Sequence, residues 1–223
     1  LNNINFGKKK MKKNIIDLTH TISERMTVYP GTPSPVIRDY SKVEKEGFAE
    51  LLISMVTHTG THIDAPCHLI RDGRSLSDYP IDKFTGSAVV IDCEGKDEIG
   101  IELLKIREND IDEAEFVLFR SGWSRKWEKK DYFGKYPVLT QEAAEWLSEL
   151  QLKAVGFDYV SVDAMDASEL PNHKILLSKD ILIIENLTGL DKLPETIFGF
   201  YAVPLKIENA DGSPVRAFAE III

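Results

Sequence analysis

The chain has 223 residues, 43% hydrophobic and 28% charged, the balance of a globular domain large enough to bury a substantial core. Its 36 acidic and 27 basic residues give a net charge of -9, which argues against a general nucleic-acid binder. No apolar run approaches the ~20 residues that span a bilayer, and two cysteines, Cys67 and Cys93, are too few for a disulfide framework and suit a reducing cytoplasm.

Residues 1–13 read as an N-terminal extension or tag, disordered, with Met11 a candidate start; their basic cluster is followed by no long apolar region and is not a signal peptide. Residues 14–223 read as one domain. Strands are expected at Ile15–Leu18, Glu50–Thr57, Ala88–Cys93, Phe116–Arg120, Ala154–Phe157, Ile181–Ile184, Tyr201–Ile207 and Ala217–Ile223, runs rich in Val, Ile and Phe and mostly bounded by Gly, Pro, Asp or Asn. A short helix is expected over Ile101–Arg107. A second starts at Thr140 as its cap, with Glu142 in the first turn and Ala143, Trp146, Leu147 and Leu150 at helical spacing. A third covers Ser168–Leu177, interrupted at Pro171. Ser124–Lys130 reads as a solvated loop or helix face. Pro30-Gly31-Thr32-Pro33 and Asp211-Gly212-Ser213-Pro214 are turn signals. The sum is a single mixed α/β domain in which strands outnumber helices.

Three of the five histidines lie within the eleven residues His58-Thr59-Gly60-Thr61-His62-Ile63-Asp64-Ala65-Pro66-Cys67-His68. In an extended strand, alternate side chains share a face. That geometry puts His58, His62, Asp64 and His68 together, with the β-branched Thr57, Thr59, Thr61 and Ile63 opposite. His58 and His62 also have the i, i+4 spacing of a zinc-binding helix, but Gly60, the threonines and Pro66 disfavour a helix. Two imidazoles and a carboxylate suit a divalent ion, which lowers the pKa of water from 15.7 to about 7. His68, just past this set, suits a general acid/base. Burying such a cluster with nothing to pair it would cost several kcal/mol. By alternation Cys67 points away from the cluster, as a small buried residue. His20 lacks a partner in sequence and reads as structural. A carboxylate at the end of the apolar run Ile181–Ile184 makes Glu185 a further candidate, since such a group is awkward unless paired.

The pattern His-x-Gly-Thr-His-x-Asp-x-Pro-x-His is matched at all seven fixed positions, and it resembles the signature of the cyclase family of metal-dependent hydrolases, which includes bacterial kynurenine formamidases (arylformamidases) and isatin hydrolases. Asp17-Leu18-Thr19 with Tyr29-Pro30-Gly31, Arg120-Ser121-Gly122-Trp123, Gly156-Phe157-Asp158 with Ser161-Val162-Asp163, and His173 with Glu185-Asn186-Leu187 resemble further family segments, so the likeness spans about residues 14–223. It implies a swivelling β/β/α fold, a homodimer or homotetramer, and a two-ion zinc or manganese site. In that site His58 and His62 hold one ion, Asp64 bridges, His173 holds the second, Glu185 is a further ligand, and His68 moves the proton. Tyr29 would take the place of a Trp that lines the substrate pocket in kynurenine formamidases. One of Asp158, Asp163 and Asp166 is a candidate to orient a ligand from behind.

The activity this implies is hydrolysis of a small amide, N-formylkynurenine giving kynurenine and formate. Isatin-type ring opening or another cyclic amide or ester is the alternative within enzymes. A metal-binding protein without catalysis, in which His68 is dispensable, is the alternative from another class.

Overall fold

The computed structural model describes residues 12–222. The expectation of a disordered extension therefore falls largely outside the described residues, although Lys13 already begins the first strand. Twelve strands are described: β1 (Lys13–Asp17), β2 (Val36–Ser41), β3 (Glu50–Ser54), β4 (His62–Asp64), β5 (Thr85–Asp92), β6 (Glu98–Ile99), β7 (Phe116–Arg120), β8 (Val138–Leu139), β9 (Ala154–Phe157), β10 (Leu182–Glu185), β11 (Phe198–Pro204) and β12 (Gly212–Ile222). The helices are α1 (Val43–Glu46), α2 (Ile101–Lys105), α3 (Glu108–Asp112), α4 (Gln141–Ser148) and α5 (Pro171–Ser178).

The main sheet runs β1-β12-β11-β5-β7-β9-β10-β4, and β4 pairs back onto β12, so seven strands close a ring with β1 attached outside it on β12. The neighbours β5, β7, β9 and β10 are parallel, and the remaining pairings of the main sheet are antiparallel. Closure removes the free edges that the seven ring strands would present in an open sheet and leaves that of β1.

The parallel strands are buried on both faces and so read as continuous apolar runs. Alternation sorts the residues of the main sheet into two cores. Ile63, Ala88, Val90, Phe116, Leu118, Leu182, Ile184, Phe200 and Ala217 fill the interior of the ring. Val89, Ile91, Val117, Phe119, Val155, Phe157 and Ile183 point outward, beneath Ala143 and Leu147 of α4 and Leu176 of α5.

The Thr140 hydroxyl caps α4 by accepting the Ala143 N–H, as its position before the apolar stripe predicts. The helix expected at Ile101–Arg107 is present as α2, which ends at Lys105, and α3 follows it outside the expected range. Pro171 does not interrupt α5 but begins it: proline has no N–H to lose in the first helical turn. Strand β2 was not anticipated. It and β3 form a separate two-stranded sheet, exposed along almost its whole length. Among the described residues, no helix is long and apolar enough to cross a membrane.

Candidate metal centre and active site

The site grows from the pairing of β4 with β10. The antiparallel register sets His62 opposite Glu185 and Asp64 opposite Ile183, while Ile63 faces Ile184 in the ring interior. Alternation therefore sends His62, Asp64 and Glu185 to the outer face of the wall, where the first turn of α5 lays His173 over them. All four are buried.

The single extended face expected of the whole motif holds only for His62 and Asp64. Gly60 takes a left-handed conformation (φ 66°), which a side chain would strain, and this turn separates His58 from the strand. Pro66–His68 form a short 3-10 turn that carries His68 back toward the cluster. The three histidines converge through a turn, a strand and a 3-10 turn, with the His58 ring 5.1 Å from that of His62 and 4.1 Å from that of His68.

The rings are oriented from behind. His62 Nδ1 lies 2.8 Å from the carbonyl of Gly60, leaving Nε2 facing Asp64 Oδ1 at 3.3 Å and Glu185 Oε2 at 3.5 Å. His173 Nδ1 lies 2.7 Å from Asp163 Oδ2, leaving Nε2 at 3.3 Å from Glu185 Oε1 and 3.8 Å from Asp64 Oδ2. The Asp163 carboxylate also accepts the N–H groups of Asn172 and His173, so it fixes both the start of α5 and the ring. Of Asp158, Asp163 and Asp166, it is Asp163 that stands behind a candidate ligand. Asp158 instead accepts from Ser121 and Gly122, and Asp166 is exposed.

Among the described residues, two inner sets of donor atoms, and a third of His58, His68 and Asp211 at the rim, each lie within 4.8 Å of one another; the inner sets are His58, His62 and Asp64, and Asp64, His173 and Glu185. Asp64 belongs to both. His58 Nδ1 stands 2.7 Å from Asp64 Oδ1, yet Asp64 Oδ1 and Glu185 Oε1 are buried and make no hydrogen bond of good geometry among the described residues. Orphaned buried carboxylate oxygens among imidazole nitrogens fit a divalent cation, for which this mixture of N and O donors is suited.

The electrostatics point the same way. Burial disfavours charge on His58 and His173, but nearby carboxylates outweigh it: Asp64 and Asp211 raise His58 to about 9, and Asp163, Glu185 and Asp64 raise His173 to about 10. Burial alone would raise Asp64, yet the facing His58 and His62 hold it well below the usual carboxylate range. His68 goes the other way. Burial, with the neighbouring His58 and His173 rings, lowers it below the ordinary histidine value despite Asp64 and Asp211.

This cluster floors a cavity of about 600 Å³. Its upper wall is aromatic: Tyr29, Trp127, Tyr132, Phe133 and Tyr136. Tyr29 is 48% exposed and meets Phe133 edge-on at 6.1 Å. Within the segment expected to be solvated, Arg125 and Glu128–Lys130 are exposed, but Trp127 turns inward and stacks on His20 at 4.1 Å. Cys67 is half-buried against the interior core and belongs to neither donor set. Asp211, read from sequence only as part of a turn, reaches His58 Nε2 at 3.1 Å. The one local signal for it is the turn itself, and turn chemistry explains an aspartate there equally well.

Comparison with known proteins identifies the family of the sequence and of the fold. The model of the Cyclase family matches residues 16–164. A kynurenine formamidase of Bacillus cytotoxicus is 33% identical over 204 residues, covering 91% of this chain and 95% of that protein. Among solved structures, isatin hydrolase A from Labrenzia aggregata superposes with a TM-score of 0.84 at 29% identity, covering 95% of this chain and 94% of that one. A structure from Bacillus stearothermophilus described as a "predicted metal-dependent hydrolase" matches at 0.77 and 30%, covering 94% and 98%. The signature histidines thus sit in a matching sequence and on a matching fold, and the chain belongs to the Cyclase family.

Proposed function

We propose that the protein is a metal-dependent amidohydrolase of the arylformamidase type, cleaving N-formylkynurenine to kynurenine and formate. One observation carries this reading: a buried His/Asp/Glu cluster with orphaned carboxylate oxygens opens onto an aromatic-walled cavity beside a histidine outside the inner donor sets. His58, His62 and Asp64 would hold one ion. Asp64, bridging, would hold a second with His173 and Glu185. Zinc or manganese supplies Lewis acidity and a lowered pKa for water.

The chain's own groups do the rest. The aromatic wall, Tyr29 included, stacks the aryl ring and sets the amide over the cluster. His68 turns Nδ1 toward Asp211, which leaves Nε2 to exchange the proton. Its lowered pKa keeps it neutral near pH 7 and able to accept. As the water oxygen bonds to the carbonyl carbon, the proton of the water passes to Nε2. As the C–N bond breaks, Nε2 returns it to the departing nitrogen. The likeness to isatin hydrolase A supports a second reading, in which the amide is a lactam and the same steps open its ring.

The swivelling β/β/α class, a cytoplasmic location and a homodimer or homotetramer complete the proposal. Free cysteines support the location. The exposed Tyr40, Phe48, Leu51 and Ile53 on and beside the β2–β3 hairpin support the assembly, since a lone two-stranded sheet is marginal in water. The test is a panel of N-formylkynurenine, isatin and simple lactones on zinc- and manganese-loaded protein. Release of formate from N-formylkynurenine is expected to be the fastest reaction, and turnover of no member would remove the substrate reading.

A further inference from the structure

Asp211 immediately precedes β12 and is pinned to the site by backbone and side chain. Gly212 pairs in register with Asp64, and the carbonyl of Asp211 accepts the Ala65 N–H at 2.8 Å. Thr57 Oγ1 donates to Oδ1 at 2.9 Å. The other oxygen, Oδ2, stands 3.1 Å from His58 Nε2 and 3.6 Å from His68 Nδ1. The backbone closes in on the same ring: a Cβ on Gly212 would lie 2.6 Å from His58 Cε1 and 2.8 Å from Nε2, so no larger residue fits without displacing His58.

We propose that Asp211 is a positioning residue, which fixes the His58 ring for the ion and the His68 ring for proton transfer from a single carboxylate. The His58 nitrogens are divided between two carboxylates, Nδ1 to Asp64 and Nε2 to Asp211. An Nε2–H donated to Asp211 sets the tautomer that leaves the Nδ1 lone pair facing the inner cluster. The same oxygen faces His68 Nδ1, beyond hydrogen-bond length but close enough for charge to orient the ring. With a side chain 43% exposed, Asp211 sits at the rim rather than in the buried floor, as a group that steers two rings without closing the coordination sphere. Asp211, His58 and His68 also form a third donor set of their own, so a ligand role is the competing outcome.

The inference rests on the metal reading above, and the deciding measurements need no substrate. Zinc affinity is measured by competition with a chromogenic chelator, and the imidazole nitrogen spectrum of zinc-loaded protein reports the His58 tautomer. For Asp211→Ala, zinc affinity is expected to fall about 10- to 100-fold at unchanged stoichiometry, with loss of the defined His58 Nε2–H signal. With an aryl formamide, kcat is expected to fall by a similar factor while KM stays within about twofold, because Asp211 acts through other residues. Asp211→Glu restores part of both. Should Asp211→Ala fail to fold, Thr57→Val, which releases only Oδ1, is expected to weaken zinc binding in the same direction by a smaller factor. Unchanged zinc affinity and an unchanged His58 signal in a folded variant overturn the proposal. So does loss of one zinc equivalent, which makes Asp211 a ligand, or a rise in KM alone, which makes it a substrate contact. A wild-type chain that binds no zinc or manganese overturns the metal reading together with this one, whereas a failed substrate panel leaves the zinc and spectral results decisive.

Discussion

The floor and the roof of the cavity are built by opposite means. On the floor, Asp64 is 1% exposed, His173 4% and Glu185 6%, and the imidazoles of His62 and His173 are each held from behind by a carbonyl or carboxylate. The roof comes from residues 27–33 and the aromatic rings between Trp127 and Tyr136, with Tyr29 about half exposed and the neighbouring β3 exposed at every position. Buried charges are costly unless compensated, so the floor is tolerated because its geometry is rigid and a cation can balance it. The roof buries no such charge, and its Tyr29 side is open to solvent. On the proposed reading, chemistry belongs to the wall of the ring and substrate choice to the exposed Tyr29 side of the roof, while Tyr132 and Tyr136 anchor the other side in the outer core.

The largest test strikes the floor. Asp64→Asn removes the carboxylate common to the two inner donor sets. Turnover of every substrate is expected to fall by on the order of 10³ or more, with loss of bound metal measured by elemental analysis, since removing one member of a buried charge cluster costs about 3–5 kcal/mol. Retention of metal and activity would sink the assignment of the floor. His68→Ala separates proton transfer from metal binding: kcat should drop by about 10²–10⁴ with zinc content unchanged, and loss of zinc would make His68 a ligand. On the roof, Tyr29→Ala should raise KM for an aryl substrate by about fivefold to tenfold, the value of an aromatic contact near 1 kcal/mol, while kcat stays within about twofold. A kcat loss as large as that of His68→Ala would erase the distinction between roof and floor.

The two regions were not equally legible. Runs such as Phe116–Arg120 and Ala154–Phe157 are strands with the expected bounds because both their faces are buried. Val36–Ser41 carries no strand signal because it is an exposed strand with charged residues and no apolar alternation. In the site, residue types and clustering announced the chemistry, but alternation explains only His62 and Asp64. The turn at Gly60 and the 3-10 turn at Pro66–His68 are set by backbone conformations that spacing alone does not reveal. Asp163 and Asp211 reach their histidines from distant or ordinary-looking turns, and nothing local to either distinguishes a ring-orienting carboxylate from a turn aspartate. Trp127 was hidden among the charges of Ser124–Lys130, although its ring lines the cavity.

The smallest expected effect tests where roof and floor join. The backbone N–H of His20 donates to Thr61 Oγ1, on the floor side, and its ring stacks on Trp127, on the roof side. Its buried Nε2 has no partner among the described residues, and burial pushes its pKa from 6.5 down to about 4. Above pH 6.5 the ring is neutral in both the folded and unfolded chains and stability does not depend on it. As pH falls below 6.5, the unfolded chain takes up a proton that the folded ring refuses, and stability is lost until the folded ring titrates near 4. By pH 5 that loss is at most about 2 kcal/mol. His20→Phe keeps a ring on Trp127 and the backbone bond to Thr61 while removing the proton site. The other titrating groups remain in both proteins, so the difference between them isolates His20. Urea unfolding at pH 7 and pH 5 should show a stability drop smaller by about 2 kcal/mol in the variant. Equal drops would mean that water reaches Nε2 in the folded protein, and that the junction belongs with the open roof rather than with the dry floor.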